Sequence, residues 1–223
     1  MASILFVNWE GPKTSYLEGV FLPILQGLAK KGHSISILYF GWESDNKFER
    51  VTQKCQIHGI HLVKADVYRK PVALGGVISA VVGGFQIKQI CKTRNVDVII
   101  PRSLMPALAT LISLCKRRKS IVYEADGFPA DEMIEFRGGN PRSITYRALR
   151  EIERRILMAS HAAITRTNAS IEILTERSLG KINSDSIFVV PSRRPLPDAK
   201  TNSASLRKQV LSPRLCYVGS LGE

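Results

Sequence analysis

The sequence predicts an α/β domain in which a parallel β-sheet is covered by helices on both faces. The apolar run Ile4–Val7 is followed by apolar residues at helical spacing from Leu17 to Leu28, and then by a second apolar run, Ile35–Phe40. This strand–helix–strand order is typical of a parallel sheet, because parallel neighbours need a crossover connection. The run Val96–Ile100 is nearly all apolar, as expected for a strand that is covered on both faces.

The same alternation continues along the chain to residue 190. Gly32 predicts the end of the first helix, and Pro23 places its ordered start near Phe21, because proline is tolerated in a first turn. The further predicted strands are Ile60–Val63, Ser120–Glu124, Ala162–Thr165 and Ile187–Val190, and the further predicted helices are Gly76–Thr93, Met105–Arg117, Ser143–Met158 and Ala169–Arg177.

The composition of the sequence changes after Pro191. Four prolines within residues 191–213, among many polar residues, indicate a linker. The apolar run Leu215–Val218 then predicts a new strand that ends at Gly219. We therefore expect residues 1–190 to form one domain, residues 191–213 an interdomain linker, and residues 214–223 the first strand of a truncated second domain.

Charge and cysteine usage narrow the class of protein. The 32 Lys and Arg residues against 19 Asp and Glu residues give a net charge of +13, which favours nucleic acid, acidic lipid or a phosphate-bearing ligand without distinguishing them. None of the four cysteines lies in a CxxC pair and no His is suitably spaced, so no metal site is predicted. Cys91 and Cys115 lie in apolar helical patterns, which predicts buried free thiols in a reducing, cytoplasmic compartment.

Two segments bear on a membrane. The longest uncharged run starts at Val72 and ends before Lys88; it is too short and too rich in Gly to span a bilayer, and it predicts a buried helix. Arg147, Arg150 and Arg154 share one face of a predicted helix, which is either solvated or a contact for an anionic membrane. Specific nucleic-acid binding is disfavoured, because the basic segments lack interleaved aromatic residues and a known motif.

Candidate ligand sites follow from the predicted sheet, because ligands of open parallel sheets bind outside the carboxyl ends of the strands. Five segments meet this condition: 8–16, 41–45, 101–105, 124–130 and 166–170. The first contains Gly11 and Lys13 but neither a GxGxxG fingerprint nor a P-loop. Lys13 is either a phosphate contact or a solvated surface lysine.

The segment Tyr123–Glu132 is the strongest polar cluster. Its carboxylates are Glu124, Asp126, Asp131 and Glu132. Carboxylates at a strand end orient sugar hydroxyls or act as a base. Alternatively, Asp126 and Gly127 form a turn, and the later carboxylates favour a helix N-terminus. Arg102, at the end of another predicted strand, suits a phosphate or forms an ion pair with Glu124.

The order of several segments resembles a known family. These segments are LAKKGHSISILYF (28–40), VDVIIPRSLMPAL (96–108), IVYEADGFPADE (121–132), YRALREIERRILMASHAAITRTNASIEIL (146–174), IFVVPS (187–192) and LCYVGSLG (215–222). Together they resemble the N-terminal domain of a GT-B glycosyltransferase of the retaining family-four type, and the resemblance covers essentially the whole chain. It implies two Rossmann-like domains with a cleft between them, of which the first mainly holds the acceptor and the second the nucleotide sugar, without a required metal or cofactor.

The resemblance also implies roles for individual residues. Asp126 matches the polar residue that faces the reacting sugar and is the expected catalytic group. The expected acceptor-side residues are Gly11, Lys13, Arg102, Glu124 and Gly127, and the expected donor-side residues are Gly219 and Ser220. The sequence departs from the family in two places: Thr14, Ser15 and Tyr16 stand where members carry a Gly-Gly pair, and Ser192, Arg193 and Arg194 replace an Asn-Gly pair.

The resulting expectation is the acceptor-binding half of a retaining glycosyltransferase that is inactive as this fragment alone. The enzyme would transfer a sugar from a nucleotide-sugar to a glycan or lipid-linked acceptor in surface polysaccharide or glycolipid synthesis. It would be cytoplasmic and peripheral on the inner face of an anionic membrane, docked through Val77–Phe85 and the arginine face. Two alternatives stay open: a Rossmann-like nucleotide- or nucleic-acid-binding module, and a regulatory subunit that a separate donor domain completes.

Overall fold

The computed structural model describes residues 1–191 except residues 13, 43–44, 116–118 and 137, and excludes the side chains of residues 45, 72 and 73. Within them, seven parallel strands form one sheet in the order β3-β2-β1-β4-β5-β6-β7. The strands are β1 Ser3–Glu10, β2 Ser34–Gly41, β3 His61–Ala65, β4 Val98–Pro101, β5 Ser120–Glu124, β6 Ala162–Thr165 and β7 Ile187–Val189. The predicted fold class, a Rossmann-like α/β domain, is confirmed. The predicted linker and second-domain strand lie outside the described residues.

Helices connect successive strands. They are α1 Leu22–Lys30, α2 Asp45–Ile57, α3 Val72–Thr93, α4 Leu104–Ile112, α5 Pro129–Glu135, α6 Ile144–Ala159 and α7 Ala169–Arg177. A π-helical turn, Leu17–Phe21, leads into α1, and Pro23 lies in the first turn of α1 as predicted. Helix α2 was not predicted, although Phe48, Val51 and Cys55 recur in it at helical spacing.

The core lies on both faces of the sheet, because strand residues alternate between the two. On one face Phe6 and Ile37 pack with Phe21 of the π-helical turn and with Leu25 of α1. On the other face Leu5, Leu38 and Phe40 pack with residues of α3 and α4. A third cluster lies under α6 and α7 around the wholly buried Tyr123. Helices therefore cover both faces, as predicted.

The strand order reverses direction at β1, which is hydrogen-bonded to β2 on one side and to β4 on the other. In this class of sheet, such a reversal opens a crevice at the carboxyl ends of the strands. The predicted strand Ile4–Val7 is too short, because β1 continues to Glu10. The Trp9 ring stacks on Phe40 at 5.2 Å, and the buried Glu10 carboxylate accepts hydrogen bonds from the Tyr16 and Leu17 amides at 2.6 and 3.0 Å.

Candidate functional site

Four charged side chains meet at the carboxyl edge of the sheet, where β4, β5 and β6 end. They are Arg102, Glu124, Asp126 and Arg166, which we call the edge cluster. Arg102 and Glu124 are almost completely buried, whereas Asp126 is 36 % exposed. Burial of two arginines with two carboxylates is tolerated because every charge has an opposite partner within the cluster.

Arg102 holds the cluster to the rest of the sheet. Its guanidinium donates from Nη1 to Oδ1 of Asn8 at 3.2 Å and from Nη2 to the Asp126 carboxylate, and its Nε lies 3.5 Å from Oε2 of Glu124. The same guanidinium lies 4.8 Å from the centre of the Phe21 ring, a cation–π distance. The Arg102–Glu124 ion pair that the sequence left open is thus present, and Arg102 also holds Asp126.

Arg166 closes the other side of the cluster. It donates to the Glu124 carboxylate and, at 3.1 Å, to the carbonyl oxygen of Val190, and its Nη2 lies 3.8 Å from Oδ1 of Asp126. Because Arg166 directly follows β6, the sheet itself sets its position. The sequence placed Arg166 in a candidate segment without a partner, since nothing local shows that the residue after β6 reaches the end of β5.

The buried position of Glu124 in the edge cluster shifts its pKa. Burial raises its pKa to about 7, against the opposing effect of Arg166 and with a further increase from the Asp126 charge. A carboxyl group with such a pKa exchanges its proton near neutral pH, which is the range in which general acids and bases work. Glu124 itself is shielded from solvent, so Asp126 is the carboxylate that the cluster presents outward.

Asp126 opens onto a cleft of about 370 Å³ between the ends of β5 and β6 and the helices that follow them. Its polar lining residues are Asp126, Asp131, Glu132, Glu135, Thr165, Arg166, Thr167 and Ser170. Thr167 and Ser170 share a hydrogen bond of 2.9 Å between their hydroxyls, and both residues line the cleft, where a hydroxylated ligand would meet them. The cleft therefore combines carboxylates, a guanidinium and hydroxyls, the groups that bind sugars through hydrogen bonds.

Gly127 shapes the turn beside Asp126 and contributes no functional group of its own. A side chain at Gly127 would overlap the Glu132 carboxylate. That carboxylate accepts a hydrogen bond of 3.1 Å from the Phe128 amide at the start of α5, so Glu132 satisfies an amide at the helix N-terminus. The turn and helix-terminus alternative is therefore present for Gly127 and Glu132, while Asp126 remains available to a ligand.

The remaining predicted site residues do not join the edge cluster. Gly11 follows β1 on the side of the sheet where β2 lies, and a Cβ atom at this position would stand 3.4 Å from the Trp42 ring. Lys13, Gly219 and Ser220 lie outside the described residues. Lys47 of α2, a basic residue that was not predicted, donates to the carbonyl oxygens of Pro12 and Thr14 at 3.2 and 2.5 Å.

A second ionic cluster joins α5, α6 and α7, and its Asp131 also lines the cleft. It consists of Asp131, Arg150, Glu153 and Arg177, which we call the helix cluster. Glu153 is buried and accepts from Arg150 at 2.7 Å and from Arg177 at 2.8 Å. Arg177 also donates to Asp131 and lies 4.5 Å from the centre of the Phe128 ring.

The arginine face of α6 is largely neutralised by its own helix. Arg154 and Arg155 both donate to Glu151 at 2.7 to 2.8 Å, and Arg150 pairs with Glu153. These pairs reduce the charge that the face offers to a phosphate surface, and they lower the pKa of the Glu151 carboxyl to about 2 through the hydrogen bonds from the two arginines. In the part of the chain that the structure describes, no group of three His, Cys, Asp or Glu side chains is arranged to hold a metal ion.

Comparison with known proteins supports the fold. No family model matches the sequence, and no curated protein is similar to it in sequence. The structure is similar to a putative UDP-N-acetylglucosamine 2-epimerase from Listeria monocytogenes (TM-score 0.57, 12% identity, covering 84% of this chain and 44% of that one). It is also similar to the lipopolysaccharide outer core galactosyltransferase WaaB (TM-score 0.56, 12% identity, 85% and 45%), and to UDP-GlcNAc 2-epimerase from Neisseria meningitidis bound to UDP-GlcNAc (TM-score 0.55, 14% identity, 84% and 45%).

These similarities identify a fold that nucleotide-sugar enzymes of the GT-B type use. At 12 to 14% identity, they carry no information on which reaction this chain supports. The chain spans less than half the length of the three solved structures.

Proposed function

We propose that this chain is the acceptor-side half of a retaining glycosyltransferase that takes its sugar from a nucleotide-sugar. The observation that carries the proposal is the edge cluster, which holds the partly exposed Asp126 carboxylate at the mouth of a cleft on the carboxyl edge of a GT-B-type sheet. The solved structures of similar fold include a galactosyltransferase and a UDP-GlcNAc-bound enzyme, which supports a nucleotide-sugar as the substrate.

In this proposal Asp126 contacts the reacting sugar or the acceptor. Arg102 holds one oxygen of its carboxylate, and the other lies 3.8 Å from Nη2 of Arg166, free enough to accept a hydrogen bond from a sugar hydroxyl. Glu124 is a positioning residue, because it orients both arginines from a buried site. Thr167 and Ser170 supply hydroxyls in the lining of the same cleft.

The remaining parts of the proposal concern the segments beyond residue 190. We propose that residues 191–213 form an interdomain linker and that Gly219 and Ser220, in residues 214–223, belong to the donor side.

The acceptor would be a glycan or a lipid-linked saccharide of a surface polysaccharide or glycolipid, and this chain alone would bind it without transferring sugar. A chain that supplies only the acceptor side lacks the groups that stabilise the leaving diphosphate.

The first experiment tests binding by the chain alone. The wild-type chain and an Asp126→Asn variant are applied to a glycan array, and positive glycans are titrated by saturation-transfer NMR. We expect hydroxyl-rich ligands to bind the wild type and to bind the variant at least ten-fold more weakly, since a charged hydrogen-bond acceptor is lost. Equal binding of both proteins, or no glycan binding at all, would contradict the assigned site.

The second experiment tests chemistry with the complete gene product. Labelled UDP-glucose, UDP-galactose, UDP-GlcNAc and GDP-mannose are incubated with it and with array-positive acceptors, and the anomeric configuration of any product is read by NMR. We expect transfer with retention, and a loss of about 100-fold or more in Asp126→Asn, the size typical of a lost proton-transfer group.

Two of the three similar structures named above are a putative 2-epimerase and a 2-epimerase, so nucleotide-sugar epimerisation is the second candidate. The same incubation without acceptor separates the two. Conversion of UDP-GlcNAc to its C2 epimer with no acceptor present would replace the transferase proposal. Tight, salt-dependent binding of a labelled oligonucleotide would instead favour the nucleic-acid module.

A further inference from the structure

Helix α3 carries a continuous apolar stripe on its outward face. The exposed large apolar side chains are Leu74, Val77, Ile78, Val81 and Phe85, with Phe85 68 % and Leu74 59 % exposed. Their spacing of three and four residues places all five on one side of the helix. Scattered exposed apolar residues are ordinary, but a contiguous stripe over three turns marks an interaction surface.

The opposite face of α3 is fixed in the core, so the stripe has no inward alternative. A side chain at Gly83 would overlap the Phe40 ring of β2, and one at Gly84 would meet Cγ2 of Ile112 in α4 at 2.9 Å. Ala80 and Ile87 on this face are fully buried. A rotation that buried Phe85 would have to withdraw these glycines from contacts that admit no larger residue.

Basic side chains flank the stripe at both ends. Arg69 and Lys70 precede α3, and Lys88 and Lys92 continue the same face by one and two turns. All four are exposed, and α3 contains no Asp or Glu. Among the described residues, Lys88 and Lys92 make no ion pair with a carboxylate, in contrast to Arg150, Arg154 and Arg155 of α6.

The end of α3 adds a basic groove to this face. A cleft of about 720 Å³ is lined by Lys88, Lys92 and Lys119 together with Asn95 and Ser113. Three lysine ammonium groups beside neutral side chains, with no carboxylate among the described residues that line the groove, favour anions. The groove opens next to the apolar stripe, which places a phosphate-binding surface beside an apolar one.

We propose that this face of α3 docks on the surface of an anionic lipid bilayer. An apolar stripe that ends in lysines is the pattern of a helix lying in the interface, with apolar side chains in the acyl boundary and ammonium groups at the phosphates. Tyr68, exposed just before α3, is a residue type enriched at that depth. The inference is independent of the sugar chemistry, because none of these residues lines the cleft at Asp126.

The proposed docking of α3 at the membrane surface is distinct from a helix that spans the bilayer. By length and composition, the stretch Leu74–Thr93 would suffice to cross a membrane, with a mean hydropathy of 1.3, and it is the single such helix in the part of the chain that the structure describes. A buried helix of a domain core meets the same criterion, and 44% of this stretch is buried inside the domain. The glycine contacts with Phe40 and Ile112 keep α3 in the domain core, so only its outer face is available to lipid.

The test is sedimentation of the whole chain with vesicles of phosphatidylcholine alone or mixed with phosphatidylglycerol. We expect binding only to the anionic vesicles and weakening with added salt. Phe85→Ser reduces binding about ten-fold, since one exposed aromatic ring loses its burial in lipid. Lys88→Gln with Lys92→Gln reduces it about five-fold per lysine, the size of one charge near an anionic surface.

Matched controls lie on helices other than α3. Ile144→Ser removes an exposed apolar side chain at the start of α6, and Lys30→Gln with Lys31→Gln removes two exposed lysines at the end of α1. We expect both controls to bind anionic vesicles within two-fold of the wild type. Circular dichroism of every variant shows that the fold is kept, which is expected because all the substituted side chains are exposed.

Three results would overturn the proposal. The first is no binding to anionic vesicles, and the second is binding that Phe85→Ser and the double lysine variant leave unchanged. The third is a dimer in sedimentation velocity that Phe85→Ser dissociates while vesicle binding is absent, because the stripe would then be covered by a second copy of the chain.

Discussion

The edge cluster and the helix cluster are built from the same parts. Each contains two arginines, one buried Glu and one Asp that is about one-third exposed, 36 % for Asp126 and 37 % for Asp131. Each also places an arginine against an aromatic ring, Phe21 in the first and Phe128 in the second. Composition and burial alone therefore do not tell which cluster serves a ligand.

Their positions in the fold separate them. The edge cluster lies where three parallel strands end, so rigid backbone sets each charged group and the exposed carboxylate lines a cleft at the carboxyl edge of the sheet. The helix cluster joins three helices, and its charges mostly fix their packing. Because Asp131 also lines that cleft, the ligand-binding role is assigned to the edge cluster by its place at the strand ends, and the following predictions test that assignment.

The largest stability effect is expected in the helix cluster, from Arg177→Met. It leaves the buried Glu153 with the half-exposed Arg150 as its sole partner, and removal of one partner from a buried pair costs about 3 kcal/mol. Urea unfolding followed by circular dichroism measures this loss. Arg155→Met, at an exposed pair with Glu151, is the control and should leave the unfolding midpoint unchanged.

Glycan binding should not follow stability in Arg177→Met. Under conditions where the variant is folded, we expect binding within about two-fold of the wild type, because Arg177 does not line the cleft. A larger loss of binding at full folding would show that the helix cluster also serves the ligand, and the proposed division between the two clusters would fail.

The second effect is a pH dependence centred on Glu124. Its pKa in the folded protein is raised to about 7 by burial, so the folded state holds this proton more tightly than the unfolded state does. The free energy of unfolding should therefore fall as pH rises from about 4.5 to 7, by about 3 kcal/mol from this group. In Glu124→Gln, which cannot titrate, that decrease should be smaller by a comparable amount. Parallel stability curves for the two proteins would contradict the raised pKa.

Most of the sheet could be predicted from the sequence, and the reasons are local. The apolar runs predicted β5 and β6 to the residue, and Gly and Pro placed the limits of α1. Helix α5, which has only seven residues, was predicted only through the alternative that Asp131 and Glu132 favour a helix N-terminus, and β1 was predicted to end too early, at Val7. The extension of β1 depends on contacts that Trp9 makes with Phe40, and such a long-range contact has no signature in a local pattern.

The site was predicted in part for the same reason. Glu124, Asp126 and Arg102 stand at the ends of recognisable strands, and the rule that strand ends converge was enough to suggest them. Arg166 and Asn8 were not assigned, because their roles depend on the strand order: β1 and β4 are neighbours, as are β5 and β6. Strand order is a tertiary property, and the local patterns of a single sequence do not reveal it.

A third prediction compares the two exposed carboxylates by stability. Asp126 pairs with Arg102 and Arg166, and Asp131 pairs with Arg177. Asp126→Asn and Asp131→Asn each remove a partly exposed charge, so each should cost about 1 kcal/mol or less in urea unfolding. Only Asp126→Asn should weaken glycan binding by ten-fold or more, although both side chains line the cleft. If both variants lost binding equally, the acidic wall as a whole would be the binding feature, and the role assigned to Asp126 would be too narrow.

The smallest effect is expected at Tyr123, which lies between the two clusters. Burial raises its pKa well above the usual value, and the charges of Glu153, Glu124 and Asp126 raise it further. Its hydroxyl is buried with no hydrogen-bond partner among the described residues. Because an unpaired buried hydroxyl carries a desolvation cost without a compensating bond, Tyr123→Phe should leave the free energy of unfolding unchanged or raise it by up to about 1 kcal/mol. A decrease in the free energy of unfolding of more than about 1 kcal/mol would show that the hydroxyl makes a water-mediated hydrogen bond between the clusters. The two clusters would then form one network rather than two.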